Sequence, residues 1–555
     1  MKGSEGTRKA RARGLGLACL LVVAATVRLQ HIKADPPVLL PSISGSAGIY
    51  FDEGIYCHNA RNRILFGQWI TDEWNPLVYN APLTLVYFLA FKIFGISIVT
   101  VKALSILMGL AGILFFTLGT RAYLNSARSL GVAALFALDF YGVMYNRIGL
   151  LENFTSLCFL ASFFLFVRAR GRLRPLFFLG MTTAVAALSK YLFVYFLVST
   201  ALAVAYASWK RSDRRLLLSF LAGALAVGLP WFFGIYLRFR PMFDKIGAGW
   251  GMLSLPRSVG QAFSNLVHNP LSRYLQLAPV AAFFLILFGG LFLLKLVRPK
   301  RVPLEPVDVF VLFWIAGGVL SMGLLNYRPL RYYVPLLPAL FLAGSLLLKN
   351  RDAVRRETRS FWLLTLVPAA LFFPVLRMMT SRPSAFFVFP PVLRVLIFLS
   401  LAGSVLYLTL RKESWRPVLE VVLVGLLLAG PLFLYKQHFL RNPTYDLEKA
   451  TRFLETLPPG SVVMGQEAPR LTLGTPFRCL LAYENWFNDR DPFARFKPTH
   501  LIVLDRFGGA EAGWIRRRFP EKAARLELVL KFKVWDTTMT LYRVPEQGRD
   551  YRFGV

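Results

Sequence analysis

A chain of 555 residues that is 55% hydrophobic and only 17% charged, with a mean hydropathy of +0.51, cannot be mostly the surface of a water-soluble globule. It reads as a multi-spanning membrane protein. Its formal charge of +35 would suggest nucleic acid in a soluble protein, but here the bases sit in short clusters between apolar runs, where they act as topology signals, and no nucleic-acid partner is expected.

The N-terminus has a basic head and then an apolar stretch to Leu29, with no small-residue cleavage site before Asp52. It reads as a retained signal anchor with a cytoplasmic N-terminus, which makes residues 31–97 the first external loop. Later candidate spans fall at 98–120, 129–148, 152–168, 175–189, 191–208, 215–236, 274–297, 308–325, 332–348, 360–377, 391–410 and 416–436. At about 20 residues per crossing, these and the anchor make about thirteen helices. The basic junctions "TRAYLNSAR", "VRARGRLR", "WKRSDRR", "VRPKR", "KNRDAVRRETR" and "RKESWR" occupy every second connection, all on the side of the N-terminus. A crossing at "PLTLVYFLAFKIFG", residues 82–95, would invert everything after it, so this segment reads as a juxtamembrane helix.

An odd number of spans puts the C-terminal tail outside. Residues 1–440 form the transmembrane domain, and 441–555 a small extracytoplasmic α/β domain without a Gly-rich phosphate loop. In the tail, "DLEKATRFLETLPPGSVVMG" predicts a helix, a turn and a strand, and "THLIVLD" and "TMTLYRV" predict two more strands preceded by helical sequence. The four cysteines, Cys19, Cys57, Cys158 and Cys479, lie far apart with no metal-ligand spacing and are read as structural.

The same parity gathers the unusual polar residues on one face. Asp52 and Glu53 lie in the first external loop, Glu152 at the second external turn and Lys190 at the third. Arg328, Arg331 and Tyr332 lie at a later one, Arg257 and His268 in the long loop 238–272, and Tyr274 at its end. Singly, such residues can snorkel to the interface or cap a helix. Together they suit an acid/base and anion-binding site. A carboxylate pair can act as general base towards a hydroxyl and can hold a divalent cation, with Asp52, Glu53 and His268 the candidate ligands. Lysine and arginine beside it can neutralise a phosphate leaving group. These parts suit glycosyl transfer from a lipid-linked sugar phosphate.

"FDEGIYCHNARNRILFGQW" followed by "NPLVYNAPLTLVYFLAFKIFG" resembles the opening of the membrane-embedded C-type (GT-C) glycosyltransferases of the protein O-mannosyltransferase and aminoarabinose transferase group, family 39 and relatives. The resemblance continues at "NRIGLLENFTSLCFLASFF", "LSKY" and "RPLRYYVPLLPAL", covering approximately residues 14–345. It implies a GT-C fold and an inverting enzyme of the cell (inner) membrane. The donor would be a polyprenyl-phosphate-linked sugar, and the acceptor a protein, lipid or glycan. In its terms Asp52 takes the catalytic slot with Glu53 beside it, and Glu152 stands where Asp is usual. Lys190, Arg328, Arg331 and Tyr332 take donor-phosphate positions, and Arg61 would replace an arginine missing near the acidic pair. Asn80-Ala81-Pro82 stands where the aminoarabinose transferases have Glu-Lys-Pro, so transfer of aminoarabinose to lipid A is not the default expectation. The rival reading is a transporter or flippase of an amphipathic, lipid-linked anion, against which stand the surface position of the charges and the folded tail. A scaffold with a partner-binding tail would leave the carboxylates unexplained.

Overall fold

The computed structural model describes residues 2–37, 51–267, 279–380, 399, 403, 407, 416–505, 510–535 and 537–545. The chain begins with α1 (Lys2–Leu29), α2 (Asp52–Phe66), the single turn α3 (Pro76–Tyr79) and α4 (Ala81–Phe94). Next come α5 (Ile98–Thr120), α6 (Ser126–Ala137), α7 (Phe140–Asn146), α8 (Leu151–Ala169) and α9 (Leu173–Ser189). After these run α10 (Val194–Arg211), α11 (Arg215–Trp231), α12 (Arg240–Ser254) and α13 (Val259–Val267).

Among the described residues, seven helices are long and apolar enough to cross a membrane, eight if a bent pair counts as one span, and four shorter apolar helices accompany them. The expected span at 391–410 lies almost wholly outside the described residues, as does the expected ligand His268. The bent pair is α6 and α7, which meet at 60° within the segment expected as one span, 129–148. Asp139 explains the break: its carboxylate accepts from Gly142 N at 2.9 Å and caps a new helix instead of continuing the old one. Helix α4 has 14 residues, about 21 Å of rise against a hydrocarbon core of about 30 Å, and it packs along α2.

Close helix crossings rest on small residues. A Cβ on Gly180 of α9 would lie 2.0 Å from Phe220 O, and one on Gly223 of α11 would lie 1.9 Å from Phe177 O, so the two backbones touch directly. Behind this pair, Phe159 and Phe196 stack face to face, Trp314 meets Phe159 edge-on and Phe310 meets Phe196 edge-on, in a buried cluster. The basic junctions tie to one another at one end of the bundle. Arg211 donates to Arg170 O at 3.1 Å, Lys349 pairs with Glu305 at 2.5 Å, and Arg301 pairs with Glu357 at 2.6 Å.

The other end carries the tail. Its sheet has the order β2-β1-β3-β5-β4, built from β1 (Val462–Met464), β2 (Arg478–Leu480), β3 (His500–Asp505), β4 (Glu527–Val534) and β5 (Thr537–Arg543). Strands β1, β2 and β3 are parallel, whereas β5 runs antiparallel to both β3 and β4. The predicted helix is present at Asp446–Leu454. The buried Asp35, just after α1, receives Thr444 Oγ1 and the backbone N–H groups of Asp446 and Leu447 at 2.7–3.1 Å, so it caps that helix. Arg147 then clamps the carbonyls of Arg28, Gln30 and His31 and lies 4.3 Å over the Phe439 ring. The N-terminal connection and the tail are thereby fixed to the bundle.

Candidate active site

Helix α2 starts at the acidic pair, and its two carboxylates go different ways. Asp52 Oδ2 lies 3.1 Å from Arg331 Nε, and its carboxylate also hydrogen-bonds the Tyr56 hydroxyl one turn along. Glu53 accepts from Gly149 N at 3.0 Å and from Arg470 Nε, in the tail, at 2.9 Å. Gly54 makes this possible, because a Cβ there would fall 2.2 Å from Arg470 N and 2.3 Å from the Pro469 carbonyl carbon. The Asp-Glu-Gly sequence therefore seats α2 directly on the tail backbone.

Around Asp52 the ends of three other elements converge. Glu152, in the first turn of α8, lies 3.8 Å from Arg331 Nε and 2.7 Å from Lys190 Nζ. Lys190 follows the last residue of α9, in an extended conformation that turns it back over the site, and its ammonium sits 3.9 Å above the Tyr332 ring. Arg331 and Tyr332 come from the 3₁₀ segment Leu330–Leu336. Two acids and two bases thus alternate in a mostly buried cluster, with Asp52 3%, Glu152 0% and Arg331 6% exposed.

Burial pushes the Asp52 carboxyl up to about 6, against the opposing pull of Arg331 and with some help from Glu152. Burial also draws Lys190 below the usual lysine range, while Glu152 opposes it. Among the described residues Glu152 Oε2 and the Tyr145 hydroxyl are buried without a hydrogen-bond partner, and Asp52 Oδ2 meets only its ion pair with Arg331. Such groups are costly unless something else meets them, which is the mark of a site that receives a polar ligand.

Two expected positions make other contacts in the structure. Arg61 is engaged elsewhere: its guanidinium donates to the carbonyls of Thr472, Leu473, Thr475 and Phe477 at 2.6–3.0 Å, so it pins α2 to the tail. Arg328 points to Asn265 O and Gly323 O at 2.5 and 2.6 Å, and Arg331 is the arginine that meets Asp52. As for a cation, no group of three His, Cys, Asp or Glu is arranged to hold one among the described residues. Asp52 and Glu53 do not converge on a shared position, since each faces its own arginine. Sequence reading missed Arg470, Tyr56 and Tyr145. A tyrosine one turn after Asp52 was a usable signal for Tyr56, while Arg470 sits 417 positions from its partner and had none.

No protein-family model and no curated protein sequence matches the chain. Solved structures do. The crystal structure of ArnT from Cupriavidus metallidurans bound to undecaprenyl phosphate is similar with a TM-score of 0.56 at 15% identity, covering 97% of this chain and 98% of that one. Its apo state gives 0.56 and 15% over 96% and 98% of the two chains. The archaeal oligosaccharyltransferase AglB from Archaeoglobus fulgidus, in complex with an inhibitory peptide and a dolichol-phosphate, gives 0.54 and 11% over 98% and 75%. At such identities the likeness speaks for architecture, and the architecture of this chain is the GT-C fold of membrane glycosyltransferases.

Proposed function

We infer that the protein transfers a sugar from a polyprenyl-phosphate donor to a hydroxyl acceptor, with inversion, at the extracytoplasmic face of a cell membrane. The observation that carries this reading is the alternating cluster itself. Asp52, held near neutrality, is suited to take the acceptor's proton. Lys190 and Arg331 lie where they can receive the charge that collects on the departing lipid phosphate. Glu152 holds both bases in place until the phosphate arrives. Glu53, tied to Arg470 and Gly149, positions Asp52. Two of the three similar structures contain a polyprenyl phosphate, undecaprenyl phosphate in one ArnT structure and a dolichol-phosphate in AglB, which supports a donor of that class here.

Donor binding tests the reading directly. Purified protein should bind undecaprenyl phosphate, and Lys190→Met should weaken that binding about tenfold or more, since a charge-assisted contact is worth about 1.5–3 kcal/mol. Wild-type protein that does not bind the lipid phosphate would sink the assignment, and an unchanged affinity in the variant would remove Lys190 from it.

The side of the membrane has its own check. In a Cys19→Ser background, whose remaining cysteines Cys57, Cys158 and Cys479 are buried, an impermeant maleimide applied to intact cells should label Glu521→Cys in the tail and spare Ala127→Cys at the opposite end. Labelling of both positions would contradict an extracytoplasmic tail.

A further inference from the structure

From Asn75 into the first turn of α4 the chain holds three buried polar side chains that make no hydrogen bond among the described residues. Asn75 and Asn80 occupy the N-cap positions of α3 and α4, where asparagine ordinarily accepts from a backbone N–H. Asn125 does so for Arg128 N at 3.0 Å. Neither Asn75 nor Asn80 caps, and both atoms of each amide are buried without a partner. Thr84, one turn beyond Asn80 on the same face of α4, repeats the pattern. Buried threonines elsewhere, Thr117, Thr155 and Thr183, bond the carbonyl four residues back at 2.7–3.1 Å, whereas the Thr84 hydroxyl meets no partner. The three residues are 0%, 2% and 0% exposed.

Five unpartnered polar atoms within ten residues of chain are a costly arrangement unless a ligand completes them. Their surroundings indicate its chemistry. Each asparagine adjoins an aromatic residue, Trp74 before Asn75 and Tyr79 before Asn80, and the two rings stack with centroids 5.6 Å apart. Phe243 of α12 packs edge-on against Tyr79. No acidic or basic residue occurs from Trp74 to Thr84. The Glu73 carboxylate just before it is taken by Lys245, Arg495 and Asn488 N. Neutral amides and a hydroxyl beside aromatic faces match a ligand with hydroxyls on one side and C–H surface on the other. They offer no carboxylate to neutralise a charged amine, whose charge would be buried without an ion partner.

The position fits a sugar as well. The Trp74 indole donates to Ile55 O at 2.9 Å, and Asn59 Oδ1 accepts from Leu77 N at 2.8 Å, so the segment is fastened to α2 within two turns of Asp52. One turn along α4 from Thr84, the Tyr87 hydroxyl donates to Gly149 O, and Gly149 N donates to Glu53. We propose that Asn75, Asn80 and Thr84 form the subsite for the sugar of the lipid-phosphate donor, and that it takes a sugar with neutral hydroxyls, a hexose, in preference to an amino-sugar. This rests on the donor class inferred above.

Full-length protein in nanodiscs is titrated with three lipids: undecaprenyl phosphate, its mannosyl ester, and its 4-amino-4-deoxyarabinosyl ester. Wild type should bind the mannosyl lipid about tenfold tighter than the bare phosphate, the effect of a few neutral hydrogen bonds, and the amino-sugar lipid no tighter than the bare one. In Asn80→Leu and Thr84→Val the mannosyl advantage should vanish with bare-phosphate affinity unchanged. Melting temperature should hold or rise, because an orphaned polar group has been removed. If the variants keep the mannosyl advantage, or wild type shows none while binding the bare phosphate, the three side chains hold only water and this inference is overturned alone. If wild type binds none of the three lipids, the donor class falls too.

Discussion

Asp52→Asn should reduce sugar transfer about 10²–10⁴-fold, the usual cost of removing a general base, while the protein folds and binds donor as before. Asparagine fills the same space but cannot accept the acceptor's proton. The pH dependence makes the assignment sharper. Burial raises the Asp52 carboxyl from the ordinary aspartate range to about 6, so the base is ionised above that value and protonated below it. Wild-type turnover should therefore fall about tenfold per pH unit below about 6, and the residual turnover of Asp52→Asn should lack that limb. The stability consequence has the opposite sense. A raised carboxyl pKa favours the folded state fully below the unfolded value, and that contribution is lost as pH rises through about 6. Asp52→Asn removes the loss, and Arg331 keeps Glu152 as its acid 3.8 Å away, so at neutral pH the variant should melt no lower than wild type although its turnover has collapsed. Normal transfer by Asp52→Asn would return the acidic pair to a purely structural role. Glu53→Gln separates the two jobs: it weakens the contact with Arg470 and should lower stability and rate together.

Much of this site was legible because charge parity needs only the order of apolar runs and basic clusters, and order survives errors in helix boundaries. It brings Asp52, Glu152, Lys190 and the Arg328–Arg331 turn to a common face before any distance is known. Distinguishing Arg331 from Arg328 was beyond it. The segment is an irregular 3₁₀ turn, and which of two arginines three residues apart faces inward depends on local geometry that no simple period supplies. Arg61 was within reach. It is nine positions after Asp52 on one helix, and at about 100° per residue it lies on the opposite face, which is where the tail carbonyls take it. In the tail, the strands with buried faces, β1, β3 and β5, were readable. Strand β2 is as short as β1 but begins on the exposed Arg478 and has no β-branched residue like the Val-Val of β1, and β4 is an edge strand with most of its side chains exposed. The tail's hold on the site through Arg470 was illegible, since nothing local to "APRL" announces a partner in the first loop.

Arg331→Met should be the most destabilising single change in the cluster. It leaves Asp52, 3.1 Å away, and Glu152, 3.8 Å away, facing each other with only Lys190 to answer both. Removing one partner of a buried pair typically costs about 3–5 kcal/mol, because the remaining charge is left uncompensated, and here two charges share the loss. The cost should depend on those charges, which a double-mutant cycle can show. With Glu152→Gln already present, Arg331→Met should lower the melting temperature far less than in wild type. Equal effects in both backgrounds would mean that Arg331 acts by packing alone. The kinetics should move as well. Arg331 is the strongest influence holding Asp52 down against burial, so its loss should carry the Asp52 midpoint above 6 and shift the acidic limb of the transfer profile to higher pH. Arg331→Lys keeps the charge but loses the planar guanidinium. It should recover most of the stability and bring the pH midpoint back towards 6, while donor binding stays weaker than wild type because a single ammonium cannot serve Asp52, Glu152 and a phosphate at once.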